Sequence, residues 1–178
     1  EEKEELMLAR DFFGIKPLFY TVVDGNFVFA SEIKSILQFP GVPKKLNERA
    51  LGQYLSFQYS VLEETFFEGI YRLPPGCMLF YRQGKYEICR YFQPKLQPEA
   101  GCSLADTEKK LESVLKKSVR RHMVSDVEVG TFLSGGVDSG FIAVSSGAKM
   151  AFTVGFLDGN SGYNEENMAR EVARYAHL

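Results

Sequence analysis

Residues 132–140 read "FLSGGVDSG". Gly135 and Gly136 lack Cβ atoms, so successive backbone N–H groups can converge on an anion, and Ser134 and Ser139 add hydroxyl donors. Asp138 would repel that anion unless a Mg2+ ion stands between its carboxylate and the phosphates, which makes Asp138 the candidate metal ligand. The chemistry this pattern fits is nucleotide phosphate binding. It has neither the G-x-x-x-x-G-K-[ST] spacing with its lysine nor G-x-G-x-x-G. A bare Ser-Gly-Gly is also a common structural turn. The full string from Ser134 to Ser139, set between two apolar runs, is much more specific.

A phosphate cradle needs a strand to deliver it and a helix to turn a positive N-terminal end toward it. "VEVGTFL" (127–133) predicts the strand, and a helix follows from about Ser139. A second strand is expected at "AFTVGF" (151–156), and a helix at "NEENMAREVARYAHL" (164–178). There Asn164 is the expected N-cap, and Met168, Val172, Tyr175 and Ala176 share a face. Upstream, residues 103–123 place Leu104, Leu111, Val114, Leu115 and Val119 near the helical repeat. Alternating helix and strand predict a parallel α/β sheet, whose ligands bind beyond the carboxyl ends of its strands. The tip of 127–133 is such a place.

The first half has a different texture. "LMLAR" (6–10) and "LFYTVV" (18–23) read as strands, and Asp24-Gly25 before "NFVFA" (26–30) is a hairpin signal. Ser31 and Glu32 open a short helix, "EIKSILQF", which Pro40-Gly41 ends. A second helix at "NERALGQYLSFQ" has Asn47 as N-cap and Leu51, Tyr54, Leu55 and Gln58 on one face. Pro74-Pro75-Gly76 precedes two strands, "CMLFYR" (77–82) and "KYEICRYF" (85–92), joined at Gln83-Gly84. The Pro- and Gly-bearing stretch 93–103 reads as a linker, which divides the chain into 1–92 and 104–178.

The 178 residues carry a net charge of −2, and their 45% hydrophobic content can build a core. No basic field favours nucleic acid or an anionic membrane as partner. No apolar run approaches the ~18 residues of a membrane span, and the acidic start is unlike a signal peptide. A cytoplasmic protein is the expectation. Cys77, Cys89 and Cys102 show no CxxC spacing, which argues against a disulfide framework or a zinc site. His122 and His177 lie near helix ends and read as solvated or capping residues.

"SGGVDS" resembles the pyrophosphate-binding loop of the ATP pyrophosphatase enzymes. "ARDFFGIKPLFY" (9–20) and "FASEIKSIL" (29–37) resemble the end of the glutaminase domain of glutamine-dependent asparagine synthetases. "LPPGCMLFY" (73–81) and "FTVGF" with "YNEENMAREVA" (152–173) follow in that family's order. The resemblance implies α+β followed by α/β. The first part would be the C-terminal portion of an N-terminal-nucleophile αββα sandwich, a type 2 glutamine amidotransferase domain. The second would be the start of a parallel-sheet ATP pyrophosphatase domain of the adenine nucleotide α-hydrolase-like kind. It further implies a carbon–nitrogen ligase that uses ATP, Mg2+, aspartate and glutamine, passes through an aspartyl-adenylate, and releases AMP and pyrophosphate.

Carried over by position, the ATP site comprises Leu133, Ser134, Gly135, Gly136, Asp138 and Ser139, with Val154 and Gly155 meeting the adenine. Arg10, Asp11, Gly14 and Pro17 match the glutaminase signature and are assigned a structural role, as is Glu32. The family's cysteine nucleophile is missing, since residue 1 is Glu1 and Cys77, Cys89 and Cys102 do not match its position. The chain is therefore expected to be an internal fragment, inactive alone and without a catalytic residue of its own. Its unpaired sheet edges would favour self-association, as in a homodimer. Gly140 stands where the family often has serine, and Asn164 where aspartate is usual. Rival readings are an amidotransferase acting on another carboxylate, a β-lactam synthetase-like enzyme, and a non-catalytic scaffold of the same fold. A sulfur-transferring RNA modifier that shares the loop fits neither the first half nor the charge.

Overall fold

The computed structural model describes residues 5–98, 101–156 and 164–178. Glu1, Tyr163 and the neighbouring part of the 152–173 motif lie outside the described residues. The chain forms two compact units that divide between Gln97 and Pro98.

In the first unit, β1 (Glu5–Ala9), β5 (Cys77–Arg82) and β6 (Lys85–Arg90) form one antiparallel sheet in the order β1-β5-β6. β2 (Phe19–Val23), β3 (Asn26–Ala30) and β4 (Tyr71–Arg72) form another, ordered β3-β2-β4. Both hairpins turn through two residues of positive φ, Asp24 (48°) with Gly25 (77°) and Gln83 (49°) with Gly84 (78°). That is the backbone sign a tight hairpin loop requires to match strand twist.

Because side chains alternate along a strand, each sheet face is set by register. Leu8, Tyr20, Cys77 and Leu79 bury one face from each sheet in a shared core, flanked by Phe27, Tyr81 and Ile88. The opposite face of β2 and β3 sends Phe19, Val23, Val28 and Ala30 against Ile36, Val42 and Ile70. The layers are thus sheet, sheet and helix.

The helices of this unit differ in part from expectation. The helix expected over 32–39 is only α1 (Ile33–Ile36), whose N-cap Glu32 makes no side-chain cap bond. Past it, Gln38 N–H and Phe39 N–H donate to Ser35 O and Ile36 O, so the chain tightens into turns before Gly41. α2 (Glu48–Phe57) begins as expected, with the Asn47 carboxamide oxygen accepting Ala50 N–H at 3.2 Å. Its expected apolar face is not its buried one. Ala50 is buried while Leu55 is 74% exposed, and Gln58 leaves the helix as a left-handed C-cap.

The Arg10-to-Pro17 turn is built by two charged side chains that bond to backbone. Arg10 donates through Nη1 to Leu73 O, Nη2 to Gly14 O and Nε to Lys16 O, at 2.7 to 2.9 Å. Burial pulls its pKa below the ordinary guanidinium value, and the nearby Arg72 adds to that. The Asp11 carboxylate accepts from the N–H groups of Phe13, Ile15 and Lys16, and those bonds hold its pKa below the ordinary 3.8. Gly14 has φ 67°, and a Cβ there would lie 2.9 Å from the Arg10 guanidinium and from Pro75. This stretch fixes the turn, in keeping with a structural role.

The second unit contains α3 (Leu104–His122), β7 (Thr131–Phe132), α4 (Val137–Ser146), β8 (Ala151–Phe152) and α5 (Glu166–Ala176). β7 and β8 pair in parallel, Thr131 with Ala151 and Phe132 with Phe152. Ser103 caps α3 by accepting Asp106 N–H at 3.2 Å. Leu133, Ala143 and Ala169 form the core, with Ala151, Val172, Ala173 and Leu178 around them.

Several expectations are corrected here. The strands predicted over 127–133 and 151–156 are two residues each, because each has a single partner strand among the described residues. α4 begins at Val137 rather than near Ser139. The N-cap of α5 is Glu165 rather than Asn164, whose carboxamide instead accepts Glu166 N–H at 3.2 Å. α5 buries Ala169, while Met168 (58%) and Tyr175 (78%) are exposed. The expected stripe on α3 is open as well, with Leu111 and Val114 more than half exposed. His122 Nδ1 lies 2.9 Å from Ser118 O, and His177 is the left-handed C-cap of α5, so both sit at helix ends as read from sequence.

Candidate functional site

The glycine loop leaves β7 at Leu133, whose N–H donates to Phe152 O at 2.9 Å and whose side chain is buried. It enters α4 at Gly136, the N-cap, and Gly140 N–H donates the first intrahelical bond to Gly136 O at 2.9 Å. The amides of Val137, Asp138 and Ser139 therefore have no acceptor within the helix and stay available to an anion.

Ser139 organises the loop. Its hydroxyl donates to Gly136 O at 3.1 Å and accepts Ser134 N–H at 3.3 Å, and the two serine hydroxyls lie 3.0 Å apart. The hydrogen balance then makes Ser134 Oγ the donor to Ser139 Oγ. The two glycines differ in what they require. Gly135 has φ 80°, and a Cβ there would lie 2.6 Å from Met168 Cβ and 3.0 Å from Ala169 N. Gly136 has φ −75°, and its nearest neighbour would be Ser134 Oγ at an ordinary 3.5 Å. Only the first glycine is demanded by conformation and by space, because the loop rests on the backbone of α5.

Beside the loop lies a cavity of about 260 Å3. Of the residues expected from sequence, Leu133, Ser134, Ser139 and Val154 line it. Gly135, Gly136, Asp138 and Gly155 do not line it. Val154 and Gly155 follow the end of β8 at Phe152, so they occupy the coil beyond the strand tip. Asp138 is exposed in the first turn of α4. Among the described residues no group of three His, Cys, Asp or Glu side chains could hold a metal by itself, so a cation at Asp138 would need oxygens from the nucleotide.

Sequence reasoning missed Glu165, Phe132, Phe152 and Phe156 in the cavity wall. It also missed Glu166, which Arg170 holds through Nε and Nη2 at 2.9 and 2.6 Å, and whose Oε2 would lie 3.0 Å from a Cβ on Gly155. The acidic pair opening the last helix was the available signal for both glutamates. Nothing in the local pattern marked the phenylalanines as more than strand residues.

A family model described as a glutamine amidotransferase domain matches residues 1–92. The chain belongs to the glutamine amidotransferase domain family. A second model, described as asparagine synthase, matches residues 110–178. The chain is 37% identical to asparagine synthetase [glutamine-hydrolyzing] 1 of Bacillus subtilis, over 93% of its own length and 26% of that protein. Asparagine synthetase [glutamine-hydrolyzing] 2 of the same organism is 33% identical, with 99% of the chain and 25% of that protein covered. Amidase chyE of Penicillium rubens is 31% identical, over 97% of the chain and 28% of that protein. The chain thus spans about a quarter of the length of the curated relatives it matches. The glycine loop falls within the stretch matched as asparagine synthase, and the Arg10-to-Pro17 turn within the amidotransferase domain.

Proposed function

We propose that this chain is part of a glutamine-hydrolysing asparagine synthetase. In the intact enzyme glutamine supplies ammonia, ATP converts the aspartate side-chain carboxylate to an acyl adenylate, and ammonia displaces AMP to form asparagine. The observation that carries the reading is the Ser134–Ser139 loop. It joins a parallel strand to a helix N-terminus and is braced by Ser139 on one side and α5 on the other. Its amides and hydroxyls suit a pyrophosphate leaving group, whose charge grows as the α–β bond breaks. The amidotransferase domain in the same chain supports glutamine as nitrogen donor.

On this reading residues 1–92 are the C-terminal part of an αββα glutaminase, 93–103 a linker, and 104–178 the start of the ATP pyrophosphatase domain. Leu133, Ser134, Gly135, Gly136, Asp138 and Ser139 belong to the ATP site, and Val154 and Gly155 meet the adenine. Mg2+ would be held by Asp138 together with phosphate oxygens, where it offsets their charge. The protein works in the cytoplasm, its sheet edges favour a homodimer, and the 178 residues alone lack activity.

The test is Asp138→Ala in the intact enzyme. Aspartate-dependent AMP release should fall by about a hundredfold or more while glutamine hydrolysis stays measurable. Unchanged AMP formation would refute the assignment of the loop.

A further inference from the structure

The cavity beside the glycine loop has two walls of unlike construction. One is the loop itself, braced by the Ser139 hydroxyl and resting through Gly135 on Met168 and Ala169 of α5. The other is the coil beyond β8, where Thr153, Val154 and Phe156 line the cavity. The pairing of β7 with β8 ends where Leu133 N–H donates to Phe152 O, so among the described residues this coil has no strand beside it. Its position must come from another contact.

Asn164 supplies it. Its Nδ2 donates to Phe156 O at 3.4 Å, and among the described residues this is the one hydrogen bond to residues 153–156. The same carboxamide accepts Glu166 N–H through Oδ1 at 3.2 Å. One orientation of the group satisfies both partners, since a carbonyl needs the amide donor and an N–H needs the amide oxygen. Asn164 thus ties the far end of the coil to the first turn of α5. That helix is itself fixed, with Ala169 buried against Leu133 and Ala143. A second contact lies nearby. Arg170 holds Glu166 Oε1, which leaves Oε2 beside Gly155, where a Cβ would lie 3.0 Å from it and 3.9 Å from Asn164 Oδ1. Both walls of the cavity therefore take their position from the start of α5.

We propose that Asn164 is a positioning residue of the nucleotide site: its carboxamide holds the Val154–Phe156 coil opposite the glycine loop, and so fixes the wall that meets the adenosine part of the ligand. The proposal rests on the reading of this cavity as an ATP site. The glycine loop keeps its own bonds to Ser139 and its own seat on α5, so it does not depend on Asn164. Loss of the Asn164 donor should therefore weaken the adenosine end of the site and spare the phosphate end. At 3.4 Å the bond to Phe156 O is a long one, which limits the effect to a modest factor.

The experiment compares the intact protein with Asn164→Asp and Asn164→Ser, which keep a side-chain oxygen for Glu166 N–H and lose the donor to Phe156 O. Isothermal calorimetry with AMP and with inorganic pyrophosphate, titrated separately, reads the two ends of the site. AMP should bind about three- to tenfold more weakly in both variants, the effect of one neutral hydrogen bond, and pyrophosphate as in the parent. The KM for ATP should rise by a similar factor with kcat little changed, since binding rather than chemistry is altered. A merely structural role would weaken both probes together and lower the urea midpoint. Parental AMP affinity in both variants, equal loss of both probes, or loss in Asn164→Asp alone, where the added charge would account for it, overturns the proposal. If the parent binds neither probe, the ATP reading itself falls, and the role of Asn164 with it.

Discussion

Replacing Gly135 with alanine tests whether the loop is held by α5. At φ 80°, a residue with a Cβ is strained by ~1–2 kcal/mol. The new methyl would also lie 2.6 Å from Met168 Cβ and 3.0 Å from Ala169 N, a side-chain root and a backbone atom of α5 rather than a flexible side-chain tip. Ala169 is 2% exposed and wedged against Leu133 and Ala143, so α5 cannot retreat without opening the core. Overpacking of that kind costs ~1–3 kcal/mol, which brings the total to ~2–5 kcal/mol. The control is Gly136→Ala, where φ is −75° and the nearest contact an ordinary 3.5 Å, so that loss of a tolerable N-cap costs under ~1 kcal/mol. Urea denaturation of both variants in the intact protein gives the stability difference, and ATP–pyrophosphate exchange gives the effect on the site. Equal stability of the two variants, with exchange retained in Gly135→Ala, would refute the claim that α5 forms the floor of the loop.

Gly140→Ala should act in the opposite sense. It lies inside α4, and its Cβ would meet Val172 at an ordinary 3.5 Å, so the variant should gain up to ~1 kcal/mol of helix stability in urea denaturation. For Asp11, a folded pKa below the ordinary 3.8 means a stabilising contribution that is full above that value and lost as pH falls through the folded pKa. Asp11→Asn should therefore be less stable than the parent near neutrality, with the gap narrowing below pH 3.8, as thermal unfolding across pH would register. A gap that widens on acidification would contradict the hydrogen-bonding account of this turn.

The local features were legible because their causes are local. Asp24-Gly25 and Gln83-Gly84 announce hairpins since their residues tolerate positive φ, and Asn47 announces a helix start since its side chain accepts a nearby amide. The glycine loop was legible for the same reason, as its donors come from one unbroken stretch. Helix faces were less so. α5 buries Ala169 instead of Met168, and α2 buries Ala50 instead of Leu55, because close packing selects the residue with least bulk at the contact. Hydrophobic periodicity favours the largest side chains and passes over such contacts.

The sequence by itself determined the order of most elements (though not β4), the two-part division and the hydroxyl and amide donors of the Ser134–Ser139 string, all properties of neighbouring residues. Tertiary structure alone decided that Gly135 rests against α5, that Phe132, Phe156 and Glu165 share a cavity with Ser134 and Ser139, and that Glu64 keeps one carboxylate oxygen without a donor. Each of those joins residues distant along the chain. Such contacts depend on how packed elements approach one another, and no short window of sequence encodes that approach.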